Sequence, residues 1–104
     1  MPWLRCVGEP GQRVTRIGLP WGGTGLFVNI GLGQQLVELG ADCLICGESD
    51  NIAMCFAKEQ GIALIETSHE LSENPGLREF ADFLSTQLRI PVDFCEIPCV
   101  WRAV

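Results

Sequence analysis

Histidine occurs once in this chain, and basic side chains are scarce: seven Lys and Arg stand against thirteen Asp and Glu, a formal charge of −6. The few Lys and Arg are scattered and form no basic stripe. So acidic a chain is poorly suited to neutralising phosphates, which argues against nucleic-acid binding. No uninterrupted apolar segment approaches the ~20 residues needed to span a bilayer, so no membrane role is expected. The opening "MPWLRCV" has no extended apolar stretch behind a basic head, and no signal peptide is read there. Internal repeats, low-complexity tracts and linkers are absent as well.

What remains is enough for one core. A chain of 104 residues predicts a single domain, residues 1–104. A domain of that size buries roughly 65% of its unfolded-chain surface and folds without metal or disulfide staples. The apolar share of 47% argues against disorder. Six cysteines suggest a secreted disulfide scaffold at first sight. However, Cys43, Cys46, Cys55 and Cys95 lie within apolar runs, where free Cys behaves as a small buried hydrophobe. A reduced, cytoplasmic protein is the expectation.

The pattern alternates strands with helices. "RCVGEPGQRVTRIGL" reads as a hairpin around a turn at Glu9, Pro10 and Gly11. "LFVNIGLGQQLVELG" has helical spacing, with Leu26, Ile30, Gly33 and Val37 on one face and Gly40 placed to end the helix. Gly31 and Gly33 weaken that helix by up to ~1 kcal/mol each, a cost tolerated where a helix approaches a neighbour closely. "ADCLIC" is a short apolar run expected of a strand covered on both faces. Ser49 or Asp50 is placed to cap a second helix reaching about Gln60. "IALIE" is a further strand. Asn74 and Pro75 form an N-cap and first-turn pair for a third helix, with Leu77, Phe80, Ala81, Leu84 and Leu88 as its apolar stripe. "PVDFCEI" alternates as a final strand does. Together these predict an α/β layered sandwich, with a mixed, largely parallel central sheet flanked by three helices.

Three stretches carry candidate chemistry. "ETSHELSENP", residues 66–75, sets His69 among Glu66, Glu70 and Glu73 just after an apolar run. It is either a metal-binding corner or a solvated loop. His69 and Glu73 share a face if they lie on one helical turn. Imidazole plus carboxylate suits Zn, Mn, Fe or Co, whereas a catalytic zinc site usually has three protein ligands. "GGTG", residues 22–25, nearly resembles a dinucleotide fingerprint, with Gly23, Gly25 and Val28 in the glycine positions and Glu48 where a ribose-binding acid would stand. A tight turn without ligand is the competing reading. "CLIC" has redox spacing, yet both thiols fall in a buried strand pointing to opposite faces. Glu48 and Asp50 end that strand, at the edge where α/β sheets bind ligands. His69 also follows a strand and is expected on the same edge.

The run "GADCLICGESDNIAMCFAKEQGIALIETSHELSENPGLREFADFL" resembles the C-terminal half of the Nif-three-like family (NGG-one-interacting factor three), many of whose members are type-two GTP cyclohydrolase I homologues. The family pattern has a "GAD" strand, a "TGD" or "TGE" turn, a helix, an apolar strand, and "GH" with an acid four residues later. Here these correspond to residues 40–42, residues 46–48, residues 62–65, and His69 with Glu73. "RVTRIGLPWGGTG" and "PVDFCEIP" resemble the flanking segments. The resemblance implies a toroidal, usually hexameric, cytosolic protein with a two-metal site between two similar halves. On that analogy His69 and Glu73 are metal ligands. The His-His pair and Asp of the family's N-terminal half have no counterpart here, Ser68 replaces the glycine before the histidine, and the histidine that often follows "GD" is missing.

Three functional expectations follow. The first is a divalent-metal-binding, hydrolase-related domain in which His69 and Glu73 ligate the ion and Glu48 is the candidate catalytic group, as base or as a group standing behind the ligands. Two ligands are few for a catalytic centre, so catalysis by this chain alone is in question. The second is a non-enzymatic oligomerising or interaction module that keeps the fold. A homo-oligomer, or a partner chain supplying the missing half, is expected in either case. The third is a mononucleotide binder using "GGTG".

Overall fold

The computed structural model describes residues 4–104. Four strands make one mixed sheet: β1 (Arg5–Val7), β2 (Ile17–Gly18), β3 (Cys43–Cys46) and β4 (Ala63–Glu66), in the order β1-β4-β3-β2. β2, β3 and β4 run parallel and β1 joins β4 antiparallel, with Cys6 opposite Ile65. Three helices complete it: α1 (Ile30–Glu38), α2 (Asn51–Glu59) and α3 (His69–Leu88). The expected α/β architecture with a largely parallel sheet is present.

The core lies between β3, β4 and the first two helices. Leu44, Cys46 and Leu64 project from the sheet against Ala57 of α2, with Leu36 and Val37 of α1 packed alongside. On the opposite face Cys43, Ala63 and Ile65 share a shallow concavity with Pro10 and Val14 of the loop after β1. Gly31 faces open space and Gly33 meets its neighbours at ordinary contact distance, so close helix approach explains neither.

Both short helices stop by the same device. Gly40 and Gly61 sit at φ +92° and +68° just beyond them. The Gly40 and Ala41 N–H groups donate to Val37 and Leu36 carbonyls, and Gly61 and Ile62 repeat this with Lys58 and Ala57. This is the Schellman arrangement, with glycine where the left-handed residue falls. Asp50 begins α2 by accepting from the Ala53 N–H at 2.8 Å, and its second oxygen accepts from Phe27 N–H at 2.9 Å.

Several expectations are overturned. The opening hairpin does not form: its turn is there, closed by Gln12 N–H on the Glu9 carbonyl, but β1 and β2 lie at opposite edges of the sheet. Asp42 draws the chain away, its carboxylate accepting from Thr15 N–H, Arg16 N–H and the Thr15 hydroxyl. The helix expected from Leu26 begins at Ile30, after two 3₁₀ turns, Gly22–Gly25 and Phe27–Asn29. α3 begins at His69, so Asn74 is not its cap and Pro75 lies within it. The Asn74 side chain is instead occupied by the backbone of Ile97. The α3 stripe is largely open, with Leu77, Phe80 and Leu88 all more than half exposed.

The final strand is not in the sheet either. Residues 91–97 turn back along α3: the Val92 carbonyl accepts from Ser85, Phe94 lies under the Arg78 guanidinium, Glu96 pairs with Arg78, and Ile97 meets Asn74. Positions 74 to 85 span roughly 16 Å of helix, the length that positions 92 to 97 cover when extended. The alternation therefore encodes extended chain, but its neighbour is a helix. Of the cysteines, all free, only Cys43 and Cys46 are buried; Cys55 and Cys95 are exposed, contrary to the reading from their apolar runs.

Candidate functional site

Three loops meet at the carboxyl ends of the parallel strands: the "GGTG" turn after β2, residues 47–50 after β3, and residues 67–68 after β4. They are laced by backbone bonds. Glu48 N–H donates to the Gly22 carbonyl at 2.8 Å, Ser68 N–H to the Gly47 carbonyl at 2.8 Å, and Thr67 N–H to the Cys46 carbonyl at 2.9 Å. Ser72, which the sequence did not single out, joins them: its hydroxyl accepts from Gly22 N–H at 2.9 Å and donates to the His69 carbonyl at 2.7 Å.

This lacing brings His69 between two carboxylates. Its Nδ1 lies 3.2 Å from Glu48 Oε2, and its Nε2 lies 3.2 Å from Glu73 Oε1, one helical turn on. All three side chains are between 40% and 48% exposed, so the cluster is open to solvent. The hydrogen bond with Glu48, aided by the charges of Glu73, Glu48 and Glu70, outweighs a smaller opposing effect of burial and raises the imidazole pKa above 6.5. Gly22, at φ +58°, closes over the cluster, and a Cβ there would fall 2.2 Å from Glu73 Oε1. Only glycine fits that roof.

The other residues of "ETSHELSENP" do different work. Glu66 is 8% exposed and is taken up by Arg5 and Ser49: it accepts from Arg5 Nε at 2.7 Å, Arg5 Nη2 at 2.6 Å, Ser49 N–H at 2.8 Å and the Ser49 hydroxyl at 2.6 Å. Burial alone would raise its pKa, but the bonds from Arg5 and Ser49 hold it below 4.5. Glu70 accepts from the Ser68 hydroxyl at 2.8 Å. Ser68 itself is buried at φ +92°, a conformation strained for any residue but glycine.

Could the cluster hold a divalent ion? Two donors about 2.1 Å from one ion at a near-tetrahedral angle stand ~3.2–3.4 Å apart. The Nε2–Oε1 separation of 3.2 Å matches that spacing. Glu48 on the other ring nitrogen matches the carboxylate that commonly orients a ligating imidazole. His69 and Glu73 therefore fit as a ligand pair. Among the described residues no group of three or more His, Cys, Asp or Glu is arranged to hold an ion.

The remaining motifs lose their chemistry. The Gly22 N–H and C=O are both engaged within the protein, and Glu48 faces His69 rather than a ribose site. Burial pushes the Cys46 thiol up to about 11 and raises Cys43 too, leaving "CLIC" inert. A cavity of about 630 Å³ opens beside Glu48, between Arg5, Leu26 and Trp101. No helix among the described residues is long and apolar enough to cross a membrane.

Known proteins give the arrangement a family. The GTP cyclohydrolase 1 type 2 homolog of Yersinia pestis is 27% identical over 95 residues, and that of Escherichia coli K12 is 26% identical over 95; each match covers 91% of this chain and 36% of the relative. The crystal structure of Staphylococcus aureus protein SA1388 superposes with a TM-score of 0.77 at 27% identity, covering 99% of this chain and 34% of that one. Protein ybgI, a structural-genomics protein of unknown function, gives a TM-score of 0.73 at 26% identity, covering 91% of this chain and 37% of that one. This chain thus spans little more than a third of the length of its relatives. The family pattern Duf34/NIF3 (NGG1p interacting factor 3) matches residues 1–99, and the chain belongs to that family.

Proposed function

We propose that this chain is a divalent-metal-binding domain related to the GTP cyclohydrolase 1 type 2 homologs. His69 Nε2 and Glu73 ligate the ion, and Glu48 holds the imidazole through Nδ1. The observation that carries the reading is that one imidazole has a carboxylate 3.2 Å from each ring nitrogen, brought from two separate elements to the strands' carboxyl edge. A bound Zn, Mn, Fe or Co ion would supply Lewis acidity there. The chain's own groups contribute orientation. Gly22 roofs the pair, Ser72 fixes the helix start, and Glu48 keeps the proton on Nδ1 so that Nε2 presents its lone pair.

Two protein ligands do not make a catalytic centre. In this reading the remaining donors come from another copy of the chain or from a partner chain. Hydrolysis by the isolated chain is accordingly not part of the reading, and Glu48 acts as a base only in an assembled site. A second reading, an oligomerising module that keeps only the fold, draws support from the open apolar surface of α3. Elemental analysis of protein purified without tag or added metal separates the two. The metal reading expects a divalent ion in wild type that is lost in His69→Ala; equal metal content in both leaves the module.

A further inference from the structure

α3 carries both proposed ligands, yet beyond its first turn its side-chain hydrogen bonds go to itself or to the segment that follows it: Asn74 to Ile97, Arg78 to Glu96, Ser85 to Val92 and Thr86 to Phe83. Among the described residues, two polar contacts tie it to the "GGTG" turn and to the loop after β3: His69 Nδ1 with Glu48, and Gly22 N–H with the Ser72 hydroxyl. These two contacts belong to one closed circuit. The Ser72 hydroxyl donates to the His69 carbonyl at 2.7 Å and accepts from Gly22 N–H at 2.9 Å. The Gly22 carbonyl accepts from Glu48 N–H at 2.8 Å, and the Glu48 carboxylate returns to His69 Nδ1 at 3.2 Å. Glycines let the circuit close. A Cβ on Gly47 would fall 2.6 Å from Ser72 Oγ, and one on Gly25 would fall 2.4 Å from the Glu48 carbonyl oxygen. Side chains at those two positions would push the loops off Ser72 and Glu48.

We infer that Ser72 is a positioning residue: acting through Gly22, it sets where Glu48 meets His69, and so decides which imidazole nitrogen is left for an ion. A neutral imidazole has one ring proton, and here a carboxylate stands 3.2 Å from each nitrogen. Contact distance alone does not choose between them. The circuit does, because it holds Glu48 in place from its own backbone. The Ser72 hydroxyl has a single proton, committed to the His69 carbonyl, so it meets Gly22 only as an acceptor. Without it the Gly22 N–H has no partner in the corner. The Gly22 carbonyl sits on the same Cα, so the bond it accepts from Glu48 N–H loosens as well. Once Glu48 is free to drift from Nδ1, the proton passes to Nε2, where Glu73 accepts it. An Nε2–H imidazole has no lone pair to offer an ion on the Glu73 side. Only this last step rests on the metal reading; the choice of ring nitrogen does not.

Long-range proton–nitrogen correlation spectra of the single histidine, taken on metal-free protein well above its titration midpoint, read the tautomer directly. Zinc affinity is read by competition with a chelator. Wild type is expected mainly as Nδ1–H. Ser72→Ala, and Ser72→Cys with its weakly accepting thiol, shift the ratio toward Nε2–H at least about threefold and weaken zinc about tenfold. Ser72→Thr, which keeps the hydroxyl, stays close to wild type in both. Asn74→Ala is the control for a merely structural role: it removes the bonds from the same helix to Ile97, lowers the urea midpoint and leaves the tautomer alone. A ratio shared by wild type, Ser72→Ala and Ser72→Cys overturns the inference, as does a ratio that Asn74→Ala moves equally far. A wild type that takes up no zinc while the ratio still shifts overturns the metal reading alone, so the two fail independently.

Discussion

Glu66 and His69 stand three residues apart at the end of the same strand, and they make opposite kinds of ion pair. Around Glu66 everything is satisfied: it is 8% exposed and takes four hydrogen bonds of 2.6–2.8 Å from Arg5 and Ser49. Around His69 little is satisfied: two contacts at 3.2 Å hold side chains that are at least 40% exposed. A short, saturated, buried pair fixes a fold, since removing one partner strands the other. A long, open pair contributes little to folding and keeps its ligating lone pairs within reach of solvent. The first corner anchors β1 and the loop after β3; the second stays open to solvent.

The widest gap between the corners is in stability. Glu66→Ala leaves the Ser49 N–H without its acceptor and releases Arg5, and we expect a loss of about 2–4 kcal/mol, read from the urea midpoint at constant slope. The upper end of the range is discounted because the Arg5 side chain is 62% exposed. The same corner sets an acid limit. Because the folded-state pKa of Glu66 is lowered from 4.5, its contribution is complete above that pH and is lost as pH falls through the folded value. Glu66→Gln should therefore flatten the acid limb of stability against pH; an unchanged limb would assign acid unfolding elsewhere.

Ser68 sharpens the comparison because it links the two corners while holding a positive φ. Left-handed strain costs of order 1–3 kcal/mol at a non-glycine residue. Its hydroxyl recovers part of that through Glu70. Ser68→Gly should stabilise the fold by about 1 kcal/mol, whereas Ser68→Ala, which keeps the strain and loses the bond, should destabilise it. Urea midpoints moving in the same direction for both would show that the φ carries no strain.

Local signals were legible and distant ones were not. Asp50 as a cap and Gly40 as a helix stop are set by bonds within a few residues, and both are found as expected. Asn74 and Pro75 looked equally good as a helix start. That reading fails because the Asn74 amide is taken by Ile97, 23 residues away, and because α3 begins after Ser68 with no side-chain cap to announce it. The hairpin fails likewise: its turn is local, but Asp42 decides where the next strand goes. The pairing of His69 with Glu73 could be read from helical spacing, and the strand-end rule placed Glu48 on the same edge. Ser72 left no trace, since a serine hydroxyl that bridges two loops looks in sequence like any other.

His69 gives the smallest stability effect and the most specific spectroscopic one. His69→Ala should change the unfolding free energy by no more than about 1 kcal/mol, because both its contacts are exposed and screened. The sign of its pH dependence is opposite to that of Glu66. With a pKa raised above 6.5 in the fold, the protonated imidazole adds stability that is complete below 6.5 and is lost as pH rises through the folded value. The proton that makes this contribution competes with a metal for Nε2, so ion binding should weaken as pH falls through the same value. As the only histidine in the chain, His69 gives a single imidazole Cε1–H resonance. Its titration midpoint should lie above 6.5 in wild type and drop toward it in Glu48→Gln. A midpoint unmoved by that substitution would mean that Glu48 does not hold Nδ1 in solution, and the open corner would then lose the carboxylate that orients it.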